Sequence, residues 1–314
     1  MADMLSPSTE PSRFRRIWES DVMWSFRHSP VAILSALVSL VMILGAILAP
    51  LYAPQDPFNP AALNLMDGLT PPGKPNEFTG KSFLLGSDSQ GRDMFSAVLY
   101  GTQVSLLVGA ASVLFSAVIG VFLGLVAGYL GGKTEAFIMR VADIQLSFPA
   151  ILIALLIFGV ARGIIPPSQQ EDATLVLLIL AIGLSNWAQY ARTVRGSTLV
   201  EKNKEYVQAA RVIGRSPLLI MLKHILPNVM GPVTVIATIN LALAVIEEAT
   251  LSFLGVGMPP TQPSLGTLIR VGQQFLFSGE WWILLFPALT LVILALAINL
   301  LGDWLRDALN PRLR

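Results

Sequence analysis

Few residues in this 314-residue chain are of types and spacings that could do chemistry. Gly132-Lys133-Thr134 has the ending of a phosphate-binding loop, in which backbone amides and the lysine cradle phosphates. That loop also needs a glycine five positions before Gly132, and Ala127 stands there. The segment follows an apolar run rather than a strand, so Gly131 and Gly132 read as a helix C-cap. His28 and His224, the two histidines, are far apart and read as interfacial and structural. Arg140 and Asp143 are three apart on a helix, the spacing of a local ion pair. With no cysteine there is no thiolate, disulfide frame or Cys-based metal site. No Ser–His–Asp set, HExxH or carboxylate cluster occurs, so the chain carries no catalytic set, no cofactor-binding site and no metal site. Glu247 and Glu248 close an apolar run, where a charge is costly and marks a pathway or gate by default. The plainer alternative sets them at the outer interface, paired with Arg270 or a backbone amide.

The elements that carry these residues are membrane spans. The chain is 54% hydrophobic and 13% charged, with a mean hydropathy of +0.65; soluble domains carry about 25% charge. The net charge of +1 gives no field for nucleic acid. Polar residues 1–30 are not a cleavable leader but carry an interfacial helix around Trp18, Trp24 and Phe26. A span takes roughly 20 apolar residues. Six helices are expected near 31–51, 104–130, 145–162, 173–191, 229–247 and 282–302. A further charge-free run, 251–269, holds Gly255, Gly257, Pro259, Pro260 and Pro263, which favours a re-entrant hairpin. With six spans, one side collects 16 Lys and Arg and the other 5. Both termini and the basic 192–228 loop are then cytoplasmic. The organisation reads as an N-terminal segment 1–30, a first span 31–51, an external loop 52–103, a core 104–302 and a C-tail 303–314. The proline-rich 53–93 segment is irregular and a surface for an external partner, or a cover over the outer mouth; Arg92 and Asp93 tie it to its own fold. In the second span Ser105, Gly109, Ser112, Ser116, Gly120, Gly124 and Gly128 share one face, which lets a neighbouring backbone come close.

The 201–228 segment is polar and basic, yet helical in grammar. Residues 205–213 are good helix formers, and Gly214 can end that helix in a left-handed conformation. Ser216-Pro217 supplies an N-cap and first position for a second helix, which Pro227 closes. Tyr206, Val207, Ala210 and Ile213 form an apolar stripe. A compact charged helical loop between spans suits contact with another protein better than it suits a linker.

This loop resembles the "EAA" loop of bacterial ABC importer permeases: Gln208-Ala209-Ala210, three residues, Gly214, then Leu226-Pro227, departing at Gln208 for Glu and at His224 for an apolar residue. The ending His224–Asn228 is similar to the dipeptide/oligopeptide branch. Leu85–Asp93, Gly101–Leu106, Leu251–Gly257 and Pro263–Gly266 resemble that branch in the expected order, with Ala97, Gln103 and Leu265 replacing two arginines and a tryptophan. Length, spans and the long first loop match the second of its two permease subunits. The resemblance implies an all-α membrane protein with the type I ABC importer permease (MetI-like) fold. It implies no enzyme activity in this chain, with ATP-Mg bound by partner subunits. The implied partners are a second homologous permease in a heterodimer, two cytoplasmic ATPases, a periplasmic binding protein that delivers di- or oligopeptides, and inner-membrane lipid. Glu205, Tyr206, Gln208, Ala209, Ala210, Gly214 and Pro227 would form the ATPase-coupling loop. The alternatives are the same machine for a nickel chelate, haem or oligosaccharide, or an ion-driven secondary transporter, which would show more spans and inverted repeats.

Overall fold

A computed structural model describes residues 21–308; Trp18, the arginines at 13, 15 and 16, and Arg312 and Arg314 lie outside them. Every regular element among the described residues is helical. Helix α1 (Asp21–His28) meets the last helix, α12 (Trp282–Ala308), through Phe26 on Trp304 and a bond from Trp304 Nε1 to Ser25 Oγ. Trp24 stacks on His28. Helix α2 (Pro30–Ile47) starts at the Ser29 cap and is followed by the single turn α3 (Ala49–Tyr52).

The 53–93 segment is stitched by side chains. Asp67 receives bonds from Thr79 and Lys81. Asn76 bonds Met66 O and Thr70. Arg92 and Asp88 form an ion pair at 2.7 Å, both almost fully buried. Arg92 also donates to Pro260 O at 2.8 Å, so it ties the segment to a distant hairpin as well as to itself.

Helix α4 (Met94–Leu130) starts ten residues before the expected 104. The cause is Asp93, whose carboxylate accepts from Ser96 N at 2.9 Å and Ser96 Oγ at 2.6 Å, an N-cap in fact as in chemistry. At 37 residues α4 is about 55 Å long, well beyond the ~30 Å hydrocarbon layer. It packs along α7 (Gln170–Glu201), the central helix. The small-residue face makes this possible: added Cβ atoms at Gly120, Gly124 and Gly128 would lie 2.5–2.6 Å from atoms of α7.

The expected 145–162 span is not one straight helix. Helix α5 (Gly132–Leu146) and helix α6 (Ala150–Ile164) meet at a 99° elbow over residues 147–149. Pro149 prevents a continuous backbone ladder there. Gln145 holds the elbow to α7, donating to Leu184 O and Ser185 O and accepting from Trp187 Nε1 at 2.7 Å. Asp143 pairs with Arg192 of α7 rather than with Arg140, and Glu135 pairs with Arg195. Packing brings α7 alongside α5, and a cross-helix partner displaces the local one.

After α7 come two short helices, α8 (Glu205–Val212) and α9 (Pro217–Ile220), and then α10 (Leu226–Phe253). The 251–269 run divides as its breakers require: α10 ends, residues 254–264 form a hairpin, and α11 (Leu265–Gln273) begins at the Ser264 cap. Among the described residues, five helices are long and apolar enough to cross a membrane, and the α5–α6 pair makes a sixth if it counts as one bent span.

Candidate functional site

Three features stand out: the loop between α7 and α10, the two carboxylates on α10, and the hairpin above them.

In the loop, Gly214 has φ +80°, the left-handed conformation that ends α8, and an added Cβ there would meet nothing within 4 Å. Ser216 Oγ accepts from Leu219 N and caps α9. Val207 and Ala210 are buried against Ile220, Met221, Ile225 and Val229. Ile213 does not join them; it is 77% exposed, beside Val212 at 88%. With Leu218 and Leu222 also exposed, the loop carries an exposed apolar tip. Pro227 does not close the second helix. A single π-turn, Met221–Ile225, joins α9 to α10 and carries the chain past the proline, whose missing N–H would leave an α ladder open. Gln208 Nε2 bonds Asn203 O, while Gln208, Ala209 and Glu205 are exposed. Tyr206 donates to Glu201 Oε2 at 2.5 Å and accepts from Asn228 Nδ2 at 3.1 Å. Burial, reinforced by Glu201, pushes the Tyr206 hydroxyl up to about 12. His224 contributes its carbonyl to this knot, not its ring.

The two carboxylates differ in environment. Glu248 is fully enclosed, accepting from Ser105 Oγ of α4 at 2.6 Å and from Ser252 Oγ at 2.7 Å. Arg270 is not among its partners; its guanidinium lies instead against Gly255. The same serines bind the hairpin region: Met258 N donates to Ser252 Oγ at 3.0 Å and Leu265 N to Ser105 Oγ at 3.3 Å. Glu248 therefore fastens the hairpin to α4 and faces no path in this conformation. Glu247 is half-buried and accepts from Asn186 Nδ2 at 2.9 Å. Asn186 lies midway along α7, so Glu247 meets the middle of that helix rather than its end. The hairpin is held from above by Arg92, and Thr261 donates to Glu171 at the start of α7. No group of three or more potential metal ligands occurs among the described residues.

Residues 120–314 match the binding-protein-dependent transport system inner membrane component family, and residues 17–72 match the N-terminal transmembrane domain of oligopeptide transport permease C. The chain belongs to this transport family. It is thus a non-catalytic, multi-pass inner-membrane permease of an ABC importer, a class that works with ATPase and binding-protein partners. It is 36% identical to the di/tripeptide transport system permease protein DppC of Pseudomonas aeruginosa over 97% of this chain and 94% of that one. It is 35% identical to the oligopeptide transport system permease protein OppC of Bacillus subtilis, over 95% and 90%. Among solved structures, a chain of the MetNI methionine ABC transporter, in inward-facing form, aligns with a TM-score of 0.54 at 23% identity, covering 69% of this permease and 98% of that chain. That likeness shows the MetI-like, type I importer fold.

The sequence alone pointed to the loop and to both glutamates. It did not single out Asn186, took Ser105 only for part of a packing face, and took Glu201 and Asn228 only for ends of the loop; the partners of all four come from other helices. Their occurrence within helices of a membrane protein was the available signal.

Proposed function

We propose that this permease carries di- or oligopeptides inward as one half of a heterodimer with a second, related permease. One of two partner ATPases docks on its 201–228 loop, a binding protein delivers the peptide from outside, and both termini lie in the cytoplasm. The observation that carries the docking reading is the loop itself: a folded, helix-capped element between α7 and α10 whose tip exposes Val212, Ile213, Leu218 and Leu222. Exposed apolar groups on a rigid support mark a protein contact. In this reading Glu205, Gln208 and Ala209 face the ATPase from α8. Ala210 packs α8 onto the bundle, Gly214 sets its angle to α9, and Pro227 follows the π-turn. The peptide substrate is supported by relatives named for peptide transport that align over nearly the whole chain. Of the two carboxylates only Glu247 keeps a pathway role, because Glu248 is enclosed. In that role a Glu247→Gln variant takes up cationic peptides less well relative to neutral ones, and an unchanged ratio contradicts it.

A tagged copy purified from native membranes in mild detergent tests the assembly. Recovery of a second permease and two ATPases is expected; recovery of the chain alone contradicts the proposal. Gly214→Asp sharpens the test. An added Cβ there meets nothing within 4 Å, and the left-handed backbone adds strain of about 1–2 kcal/mol for a non-glycine residue. Transport is expected to be lost together with bound ATPase, while the permease still inserts. Normal uptake by this variant sinks the docking assignment.

A further inference from the structure

We infer that Tyr206 is a positioning residue: its hydroxyl locks the docking helix α8 to the ends of α7 and α10, so that ATPase-driven movement of α8 reaches both helices as one displacement. The inference rests on the docking reading above and adds how the motion is passed on.

The geometry is specific. A tyrosine hydroxyl has one proton to give and lone pairs to receive. Tyr206 gives its proton to Glu201, the last residue of α7, at 2.5 Å, a shorter contact than its 3.3 Å to His224 O. It receives one from Asn228, the third residue of α10, at 3.1 Å, and the same amide group donates to His224 O in the π-turn at 2.8 Å. One atom of α8 thus joins three segments. Bonds to an ionised acceptor are shorter and stronger than neutral ones. Glu201 is nearly buried and is also held by Lys204 at 2.6 Å, the residue that precedes α8. Around the lock, Lys202 Nζ donates to Gly128 O of α4 at 2.7 Å, and Arg211 of α8 lies 5.0 Å over the ring of Tyr129 of α4. Burial of Val207 and Ala210 fills the space beneath.

Apolar packing alone lets a short helix slide or roll, because it is not directional. The lock removes that freedom. Both helices it grips carry the Asn186–Glu247 pair: Asn186 lies fifteen residues up α7 from Glu201, about 22 Å, and Glu247 lies on α10. A rigid α8 therefore moves the two halves of that pair from a common base. With its acidity pushed to about 12, the hydroxyl keeps its proton at every pH at which transport is measured.

The test uses the assembled importer in proteoliposomes with its binding protein, and reads ATP hydrolysed per substrate imported. Tyr206→Phe and Glu201→Ala are expected to retain the ATPases and their hydrolysis while the ratio rises about fivefold or more, the low end of typical coupling between sites. Glu201→Gln still accepts from the hydroxyl and is expected to keep the wild-type ratio, which a general loss of structure would not. Asn228→Ala, on an exposed residue, cuts the α10 arm together with its bond to His224 O, leaves the α7 arm intact, and is expected to raise the ratio partway. An unchanged ratio in Tyr206→Phe overturns the inference. So does loss of the ATPases from that variant, since Tyr206 would then be a docking contact. Failure of the wild-type assembly to hold any ATPase is a different result, and it overturns the docking reading itself.

Discussion

Gly124→Ala offers a quantitative test of the packing between α4 and α7. A methyl at this position would lie 2.6 Å from Ala191 O, 2.8 Å from Val194 Cβ and 3.1 Å from Ala191 Cα, where ordinary contact begins at 3.4 Å. Two of these three atoms are backbone and cannot rotate away, so the helices must separate or tilt. Overpacking of this kind costs about 1–3 kcal/mol. Against it, replacing a helical glycine by alanine returns up to about 1 kcal/mol. Gly159, inside α6, isolates the second effect, since its added Cβ meets nothing within 4 Å. The helix-propensity gain cancels between the two variants. Gly124→Ala is therefore expected to be less stable than Gly159→Ala by about 1–3 kcal/mol. Unfolding by SDS in mixed micelles, followed by tryptophan fluorescence, measures the difference. Equal stabilities within about 0.5 kcal/mol would refute the close-packing account.

Three further outcomes follow from particular contacts. Asp93→Ala removes the cap of α4 and is expected to cost about 1–2 kcal/mol in the same unfolding assay, with Asp93→Asn near wild type; equal losses in both contradict the capping role. Glu248→Leu leaves the buried Ser105 and Ser252 hydroxyls without their acceptor, at about 1–3 kcal/mol. Faster hydrogen exchange in residues 254–264 is expected there, and unchanged exchange contradicts the fastening role. Asp67 would be raised by burial, but bonds from Thr79 and Lys81 outweigh that and hold it below its usual value. Its stabilising contribution to the 53–93 segment is therefore complete above the usual aspartate range and is lost as pH falls through the lowered value. Protection factors in residues 66–82, corrected for the intrinsic exchange rate, are expected to fall only in acid and to be pH-independent in Asp67→Asn.

Much of the fold is legible in the sequence because lipid imposes length and hydropathy on each span separately. The glycine and proline density of 251–269 likewise marks a hairpin locally. What the sequence hides is set by partners far along the chain. Ser105 and Glu248 are 143 residues apart, and nothing local to either announces the bond. Asp143 turns to Arg192 because α7 happens to pass beside it. The early start of α4 was a readable cap at Asp93, obscured by Gly101 and Thr102 inside the helix. Pro227 misleads for a different reason: a proline usually ends a helix, and a π-turn of five residues removes that consequence.

The most direct test of the account is ATP-driven uptake by the permease reconstituted with its partner permease, two ATPases and binding protein. Labelled dipeptide is supplied outside proteoliposomes that hold ATP and magnesium within. Accumulation that needs ATP, the binding protein and an intact 201–228 loop is the expected result. Dipeptide uptake driven by an ion gradient without ATP, or ATP-dependent uptake that survives disruption of the loop, would contradict it.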